Sequence, residues 1–123
     1  MKRGEIWVAR LHPNVGGEVG KIRPVLVMLD DALLETGMSP VLCLPLTSQL
    51  FLQMAGLRVE IPARERLVKT CYVMPEQMRA LDRSRFGERI AQIDPDEMLA
   101  VERMLAAVAG MSHLLAPTHW PTH

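Results

Sequence analysis

The feature that most constrains the fold of this sequence is a series of short apolar segments, many of them bounded by proline or glycine. The segments fall at 4–11, 24–29, 40–46, 56–61, 70–75, 77–81 and 87–93, and the first of them is rich in β-branched and aromatic residues. Runs of this length and composition, separated by turn-forming residues, are typical of β-strands. The sequence therefore predicts a sheet built from many short strands.

Two of these segments carry further information. Pro45 lies inside 40–46 and removes a backbone donor, which predicts a strand end, a sheet edge or a bulge there. The segment 56–61 alternates apolar and charged residues, which predicts a half-buried strand with Arg58 and Glu60 on its exposed face. One face of this strand is therefore expected to be wet.

The segment 94–110 differs from the rest because its apolar residues follow a helical period. Asp94 suits the N-cap, Pro95 the first helical position, Glu97 the reciprocal capping position and Gly110 the helix end. The apolar stripe consists of Met98, Val101, Leu105 and Val108. We expect this stripe to pack on the sheet.

Six or so strands followed by one late helix predict a mainly β fold with α: a small curled antiparallel sheet or partly open barrel, with the helix packed on it. A chain of 123 residues is the size of one domain. We expect that domain to span 1–111, and we expect the tail at 112–123 to be flexible because it is rich in proline and histidine without a clear period.

Apolar runs approaching the roughly 20 residues of a membrane helix are absent from the sequence, and its start has no apolar signal region, which predicts a cytoplasmic protein. Cys43 and Cys71 lie in apolar stretches without a ligand-like spacing, so both are expected to be buried thiols. Three of the four histidines lie in the tail, and their spacing fits no common metal-ligand pattern.

The formal net charge is zero, so the strongly basic footprint of a typical duplex-DNA binder is missing. Nucleic-acid binding would therefore need local clusters of cations. The sequence offers two such clusters, one with Arg64, Arg66 and Lys69 and the other with Arg79, Arg83, Arg85 and Arg89.

Arg23 and Thr47 occupy comparable places, one just before an apolar strand and the other just after one. If both strand ends lie on the same rim, a guanidinium and a hydroxyl come together there. From the pattern alone, a surface salt bridge for Arg23 and a local turn begun by Thr47 remain the alternatives.

Five strings give a more specific signal: "RGEIW" from Arg3, "GGEVGKIRPVLVM" from Gly16, "PLTSQ" from Pro45, "EQMRALDRSRFGERI" from Glu76, and the acid-capped final helix. In order and spacing they resemble the MazF/PemK/Kid family of toxin endoribonucleases over 3–110. The resemblance implies an SH3-like barrel, a homodimer and growth arrest through cleavage of single-stranded RNA, usually mRNA. It also implies no metal or other cofactor, and a cognate MazE-like antitoxin that holds the enzyme inactive.

The resemblance assigns catalysis to Arg23, which matches the family's "RPVL" arginine, and to Thr47, which matches its threonine. The implied reaction is attack by the RNA 2′-OH on the adjacent phosphorus, leaving a 2′,3′-cyclic phosphate and a 5′-OH. A guanidinium suits the phosphate oxygens, and the threonine hydroxyl is given a positioning role.

The proton acceptor is left between Glu76 and Glu18. Kid-like members carry an acidic residue at the position of Glu76, and Glu18 precedes Arg23 in the same loop. Two departures affect this choice: Gly17 stands where some members carry a histidine, and Met74 stands where Kid carries an arginine. The acid and base groups of those relatives cannot all be transferred to this chain.

The same resemblance places the loops 12–23 and 47–56 and the segment after Glu76 beside the RNA. Gln77 is expected to read a base edge and Arg79 to meet a phosphate. The other expected RNA contacts are His12, Gly17, Lys21, Ser48 and Gln49.

Two alternatives stay open at this point. One is a gyrase-poisoning toxin of the CcdB type, which acts through an aromatic C-terminal end and for which Trp120 is the candidate residue. The other is a barrel that binds RNA or an antitoxin peptide without cutting.

Overall fold

The computed structural model describes residues 1–11 and 21–115. The predictions for His12, Gly17, Glu18 and Trp120 fall outside these residues. The boundary at 111 and the flexibility of the tail remain predictions, although the first tail residues, Ser112–Leu115, form a single 3₁₀ turn.

The described chain forms a curled antiparallel sheet of seven strands, a short helix and a long C-terminal helix. The strands are β1 Glu5–Arg10, β2 Ile22–Val27, β3 Val41–Thr47, β4 Val59–Ile61, β5 Cys71–Val73, β6 Arg79–Leu81 and β7 Phe86–Gln92. The helices are α1 Asp31–Glu35 and α2 Pro95–Val108. Neighbouring strands follow the order β4, β5, β3, β2, β1, β7, and β6 also pairs with β3.

Strand β3 makes the sheet curl because it has different neighbours along its length. One edge pairs with β2, while the other pairs with β6 at Val41–Cys43 and with β5 at Leu46 and Thr47. Pro45 lies between these two sets of partners, so its missing donor falls where the ladder changes strand. The proline therefore marks a switch of pairing inside the strand.

Both faces of the central strands are packed. Leu26 and Leu44 lie in the main core, which α2 closes through the buried Val101. Val25 and Cys43, which alternate with them, lie in a second cluster on the opposite face. This accounts for the continuous apolar runs in β2 and β3, since a strand buried on both faces has no polar alternation.

Helix α2 agrees with its sequence signals. The Asp94 carboxylate accepts from the Glu97 N–H at 2.8 Å, and the Glu97 carboxylate accepts from the Asp94 N–H at 2.9 Å. Gly110 has a φ of 74°, the left-handed conformation that ends a helix most easily at glycine. Met98 and Leu105 pack against the core beside Val101, as the stripe predicts.

Three local predictions are wrong. The strand expected at 56–61 is only Val59–Ile61, because a 3₁₀ segment, Leu52–Leu57, occupies the preceding residues. Arg58 is not on a wet face, since its side chain is only 7% exposed. Strand β2 also begins at Ile22, so Arg23 lies inside the strand and not before it.

Both cysteines are free and buried, as predicted. Among residues 1–11 and 21–115, no helix is long and apolar enough to cross a bilayer.

Candidate active site

The pairing of β2 with β3 brings Arg23 and Thr47 together. The paired residues are Val25 with Pro45 and Val27 with Cys43, so continuing this antiparallel register by two residues sets Arg23 opposite Thr47. Residues directly opposite each other have Cβ atoms about 5 Å apart and share a face of the sheet. The predicted meeting of the guanidinium and the hydroxyl at one rim therefore follows from strand register.

Local hydrogen bonds orient both groups. Arg23 donates from Nη1 to the carbonyl oxygen of Leu46 at 3.2 Å, so its guanidinium is held at the end of β3. Thr47 accepts from the Gln49 N–H at 3.2 Å, which is the local turn that its sequence context also suggested. No carboxylate in the described part of the chain forms an ion pair with Arg23, so a salt bridge does not occupy its charge there.

Two surface cavities, of about 560 and 450 Å³, meet at this pair. Together they form what we call the cleft. The residues that line both cavities are Lys21, Arg23, Thr47 and Gln49. The arginine and threonine therefore lie at the junction of a two-part cleft, where a bound chain would pass from one cavity into the other.

The cleft is strongly cationic, although the whole chain has no net charge. Its described lining residues include the six cations Lys21, Arg23, Arg58, Arg66, Lys69 and Arg79. Glu76 is the carboxylate among those described lining residues. Such a concentration of positive charge favours a polyanionic ligand.

Glu76 lies in the second cavity and is held by a residue from another segment. Its Oε1 lies 2.6 Å from Nη1 of Arg58, and the two side chains are 24% and 7% exposed. Glu76 itself belongs to a 3₁₀ turn, Pro75–Gln77, between β5 and β6. This turn carries the carboxylate to the same rim as Thr47.

The expected RNA-contacting residues that the structure describes also line the cleft. Gln77 and Arg79 line the second cavity, and the Gln77 side-chain oxygen accepts from Nη2 of Arg79 at 3.4 Å. Ser48 lines the first cavity, and Lys21 and Gln49 line both. The structure thus brings together all the described candidates.

The members of each cation cluster predicted from the sequence do not all lie on one surface. Arg64 pairs with both carboxylate oxygens of Glu97, and Arg83 donates to the carbonyls of Leu34 and Met38. Arg89, in turn, pairs with the carboxylates of Glu5 and Glu65. Arg66, Lys69 and Arg79 line the cleft, although Arg66 also pairs with the Glu88 carboxylate at 3.0 Å. Proximity in sequence was therefore a poor guide to which cations share a surface.

Arg58, Phe51 and Met54 line the second cavity. The loop 47–56, which contains Phe51 and Met54, was predicted to lie beside the RNA, but none of the three was named as a site residue. Arg58 was missed because the alternation of apolar and charged residues along 56–61 predicted that it lies on a solvent-exposed strand face. Phe51 follows "PLTSQ" closely and is 56% exposed, and aromatic residues make up only 4% of the chain. That isolated aromatic residue after the threonine motif was the signal available.

The cysteines differ in their relation to the site. Burial raises the pKa of the Cys43 thiol to about 12, although Arg79 opposes the shift. Burial also raises the pKa of Cys71, against the opposing charges of Lys69 and Arg23. Cys71 lines the first cavity, so it is the thiol that borders the cleft.

A curled antiparallel sheet with a terminal helix, carrying a cationic cleft centred on an arginine and a hydroxyl, defines a small barrel-like protein suited to binding a polyanion. The family described as "PemK-like, MazF-like toxin of type II toxin-antitoxin system" matches residues 2–109. The chain belongs to this family, and the resemblance read from its motifs is confirmed.

Individual relatives agree with this assignment. The "Endoribonuclease EndoA" of Bacillus subtilis (strain 168) is 33% identical over 107 residues, covering 85% of this chain and 90% of the relative. The MazE-MazF complex of Deinococcus radiodurans (Form-II) superposes with a TM-score of 0.74 at 28% identity, covering 91% of this chain and 97% of that one.

A more distant structure, the Mycobacterium tuberculosis toxin MazF-mt6, has a TM-score of 0.72 at 17% identity and covers 87% of this chain and 97% of its own. At that identity the likeness shows the fold alone, and it confirms the predicted curled sheet with a terminal helix. None of these relatives supports the gyrase-poisoning alternative.

Proposed function

We propose that this endoribonuclease toxin of the MazF/PemK family binds single-stranded RNA along the cationic cleft and cleaves it at the junction between the two cavities. The observation that carries the proposal is that Arg23 and Thr47 both line both cavities, as the β2–β3 register continued by two residues requires. A phosphodiester placed there meets a guanidinium and a hydroxyl together, with cationic walls on both sides.

The proposed reaction needs no water and no metal. The 2′-oxygen of one nucleotide loses its proton and bonds to the adjacent phosphorus, and the bond from phosphorus to the 5′-oxygen of the next nucleotide breaks. The leaving oxygen takes up a proton and becomes a 5′-OH, while the phosphorus remains in a 2′,3′-cyclic phosphate. DNA resists because it lacks the 2′-OH.

Arg23 has the geometry of the electrostatic clamp in this reaction. Its hydrogen bond to the Leu46 carbonyl uses one guanidinium donor, and within 1–11 and 21–115 no side chain or carbonyl occupies the others, which suit phosphate oxygens. A donor fixed before the reaction stabilises developing negative charge without reorganisation, which is usually the largest single catalytic effect. Thr47, on the neighbouring strand β3, positions the RNA 2′-OH or a non-bridging phosphate oxygen.

Glu76 is the proposed proton acceptor among the described residues, because its carboxylate lies in the same cavity as Arg23 and Thr47. Arginine cannot serve in this role, since it stays protonated. Glu18 remains the second candidate and lies outside the described residues. Its loop leads into β2, which carries Arg23.

RNA also needs a surface for its bases, and the second cavity offers one. Phe51 is 56% exposed on its wall, and single-stranded bases stack readily on exposed aromatic rings. Gln77 lies in the same cavity with an amide that can pair with a base edge. The Arg79 side chain donates to the side-chain oxygen of Gln77 and so lies beside it. We expect Arg79 to meet a backbone phosphate.

The biological setting follows from family membership and from the relatives. We place the protein in the cytoplasm as a homodimer, neutralised by a cognate MazE-like antitoxin whose acidic or apolar segment competes with RNA for the cleft. The solved Deinococcus radiodurans relative is a MazE-MazF complex. Cleavage of mRNA then arrests growth when the antitoxin is lost.

The test is to incubate the purified protein with a mixed-sequence single-stranded RNA in EDTA and to map the new ends. We expect 2′,3′-cyclic phosphate and 5′-OH ends at a recurring short motif, and no cleavage of the matching DNA. RNA that stays intact, or cleavage abolished by EDTA, contradicts the proposal. RNA that is bound tightly but never cut supports the alternative of a non-cleaving binding barrel.

A further inference from the structure

The Arg58 side chain is a buried cation in the wall of a surface cleft. It reaches the second cavity from the residue just before β4, and only 7% of it is exposed. A guanidinium this well shielded from water needs a partner that compensates for lost hydration. Its partner is Glu76, through the 2.6 Å contact between Nη1 and Oε1.

This contact uses one of the two carboxylate oxygens of Glu76. No hydrogen bond to Oε2 is found within residues 1–11 and 21–115, and 24% of the Glu76 side chain is exposed. The buried guanidinium thus fixes one oxygen, while the other remains available to a ligand in the cavity. A carboxylate on a three-residue 3₁₀ turn would otherwise have several rotamers to choose from.

The cation comes from a distant part of the sequence. Arg58 and Glu76 are 18 residues apart and belong to different segments. Met74, two residues before Glu76 in the sequence, cannot supply a cation to it, because Met74 is apolar and only 7% exposed. The guanidinium beside Glu76 is therefore supplied across the fold.

We propose that Arg58 is a positioning residue for Glu76: its buried guanidinium holds the carboxylate at the angle from which its second oxygen reaches the reacting RNA. The proposal rests on the proposed function, since it assumes that RNA occupies the second cavity. In this proposal the paired guanidinium of Arg58 makes no direct contact with the RNA, although its side chain lines the second cavity. It acts through Glu76 alone, and that restriction makes the proposal testable.

The test is a double-mutant cycle with Arg58→Met, Glu76→Gln and the double variant, using kcat and KM on one defined RNA. We expect Glu76→Gln to lower kcat about a hundredfold, the usual scale of a lost general base. Arg58→Met should lower kcat about tenfold or more through misplacement, with little change in KM. The double variant should be no slower than Glu76→Gln, because Arg58 then has nothing left to position.

A conservative variant and a matched arginine separate positioning from general charge. Arg58→Lys retains the buried cation and should recover part of the kcat lost in Arg58→Met. Arg79→Met removes another cleft arginine that is proposed to meet a phosphate. Arg79→Met should raise KM, and its effect on kcat/KM should multiply with the effect of Glu76→Gln in the double variant.

Three results overturn the inference: multiplied losses in the Arg58→Met/Glu76→Gln variant, a wild-type kcat in folded Arg58→Met, or a wild-type kcat in Glu76→Gln. Thermal unfolding of each variant identifies a fold defect, and Arg58→Gln, which also lacks the charge, replaces Arg58→Met if the latter is unstable. Failure of the proposed function looks different, because then the wild-type protein leaves RNA intact or Arg23→Ala cuts normally.

Discussion

The guanidinium of Arg23 donates from Nη1 to the backbone carbonyl of Leu46 over 3.2 Å. This bond joins β2 to the end of β3, one residue before Thr47, so the arginine is held in place before any ligand arrives. The rest of the guanidinium faces a cleft with few competing carboxylates among its described residues. Among the residues that the structure describes, its charge is therefore oriented and not taken up by an ion pair.

Replacing Arg23 by alanine should lower the cleavage rate by about a hundredfold or more, the scale seen when one fixed donor to a developing oxyanion is lost. Arg23→Lys should recover little, because an ammonium cannot keep the bond to Leu46 and also offer a fork of donors to phosphate. The measurement is single-turnover cleavage of a defined RNA. Arg103→Ala, on the exposed face of α2, is the matched control and should cut at the wild-type rate.

Substitution of Thr47 separates its hydroxyl from its shape. Thr47 lines both cavities, and Thr47→Val keeps its β-branched form but removes its hydroxyl, so we expect cleavage to fall by about tenfold or more. Thr47→Ser retains the hydroxyl and should remain near wild type. Equal activity of the valine and serine variants in the same assay would show that the hydroxyl has no role.

Phe51 and its neighbour Leu52 test the base-stacking surface. Phe51 lines the second cavity, whereas Leu52 is more exposed, at 87%, and does not line either cavity. Phe51→Ala should weaken binding of an uncleavable 2′-deoxy RNA analogue by about tenfold or more, since one stacked base contributes about 1–3 kcal/mol. Leu52→Ala should leave the affinity unchanged, and Phe51→Trp should restore it. Fluorescence anisotropy gives each dissociation constant.

Glu97 should matter for stability and not for cleavage chemistry. It accepts from the Asp94 N–H at 2.9 Å and pairs with Arg64 through oxygens at 2.6 and 2.5 Å. Losing half of a capping box and a bidentate ion pair should lower the free energy of unfolding by about 1–3 kcal/mol. Urea denaturation of Glu97→Ala measures this change.

The control for Glu97 is Glu102→Ala. Glu102 pairs with Arg3 at 2.8 Å, but the side chains are 35% and 29% exposed. Such a surface pair contributes about 0–1 kcal/mol, so the control variant should unfold close to the wild-type midpoint. Equal losses in the two variants would contradict the role given to Glu97.

The pKa of Cys43 predicts alkaline destabilisation. Burial raises it from 9.0 to about 12, so above pH 9 the unfolded chain loses this proton while the folded chain retains it. The stabilising contribution of this site is therefore complete below about pH 9 and falls as the pH rises toward 12. Unfolding free energies measured from pH 8 to 11 should decline.

Thiol reactivity provides an independent check of the same site. Iodoacetamide at pH 8 should leave Cys43 unmodified in the folded protein, because the thiolate is the reactive form. Cys71, which borders the cleft near Lys69 and Arg23, should react sooner. Peptide mass spectrometry assigns the modified residue, and faster labelling of Cys43 would contradict the burial described here.

The sequence determined most of the secondary structure, and its motifs identified Arg23 and Thr47 as the central pair of the site. Short apolar runs predicted the strands, and the signals at Asp94, Glu97 and Gly110 predicted helix α2 because capping depends on residues close in the chain. The motifs around Arg23 and Thr47 identified the family, which the comparisons confirmed. These features share one property, since the residues that cause them are neighbours in sequence.

Only the tertiary structure decided which distant residues share the cleft. Strand register set Arg23 opposite Thr47, and the packing of the segment before β4 buried Arg58 against Glu76. Alternation along 56–61 gave the wrong face for Arg58, because a 3₁₀ segment replaces the first half of that strand. Which side chains meet across a fold depends on how the strands pair and turn. A local sequence pattern does not contain information about residues that are distant in the chain.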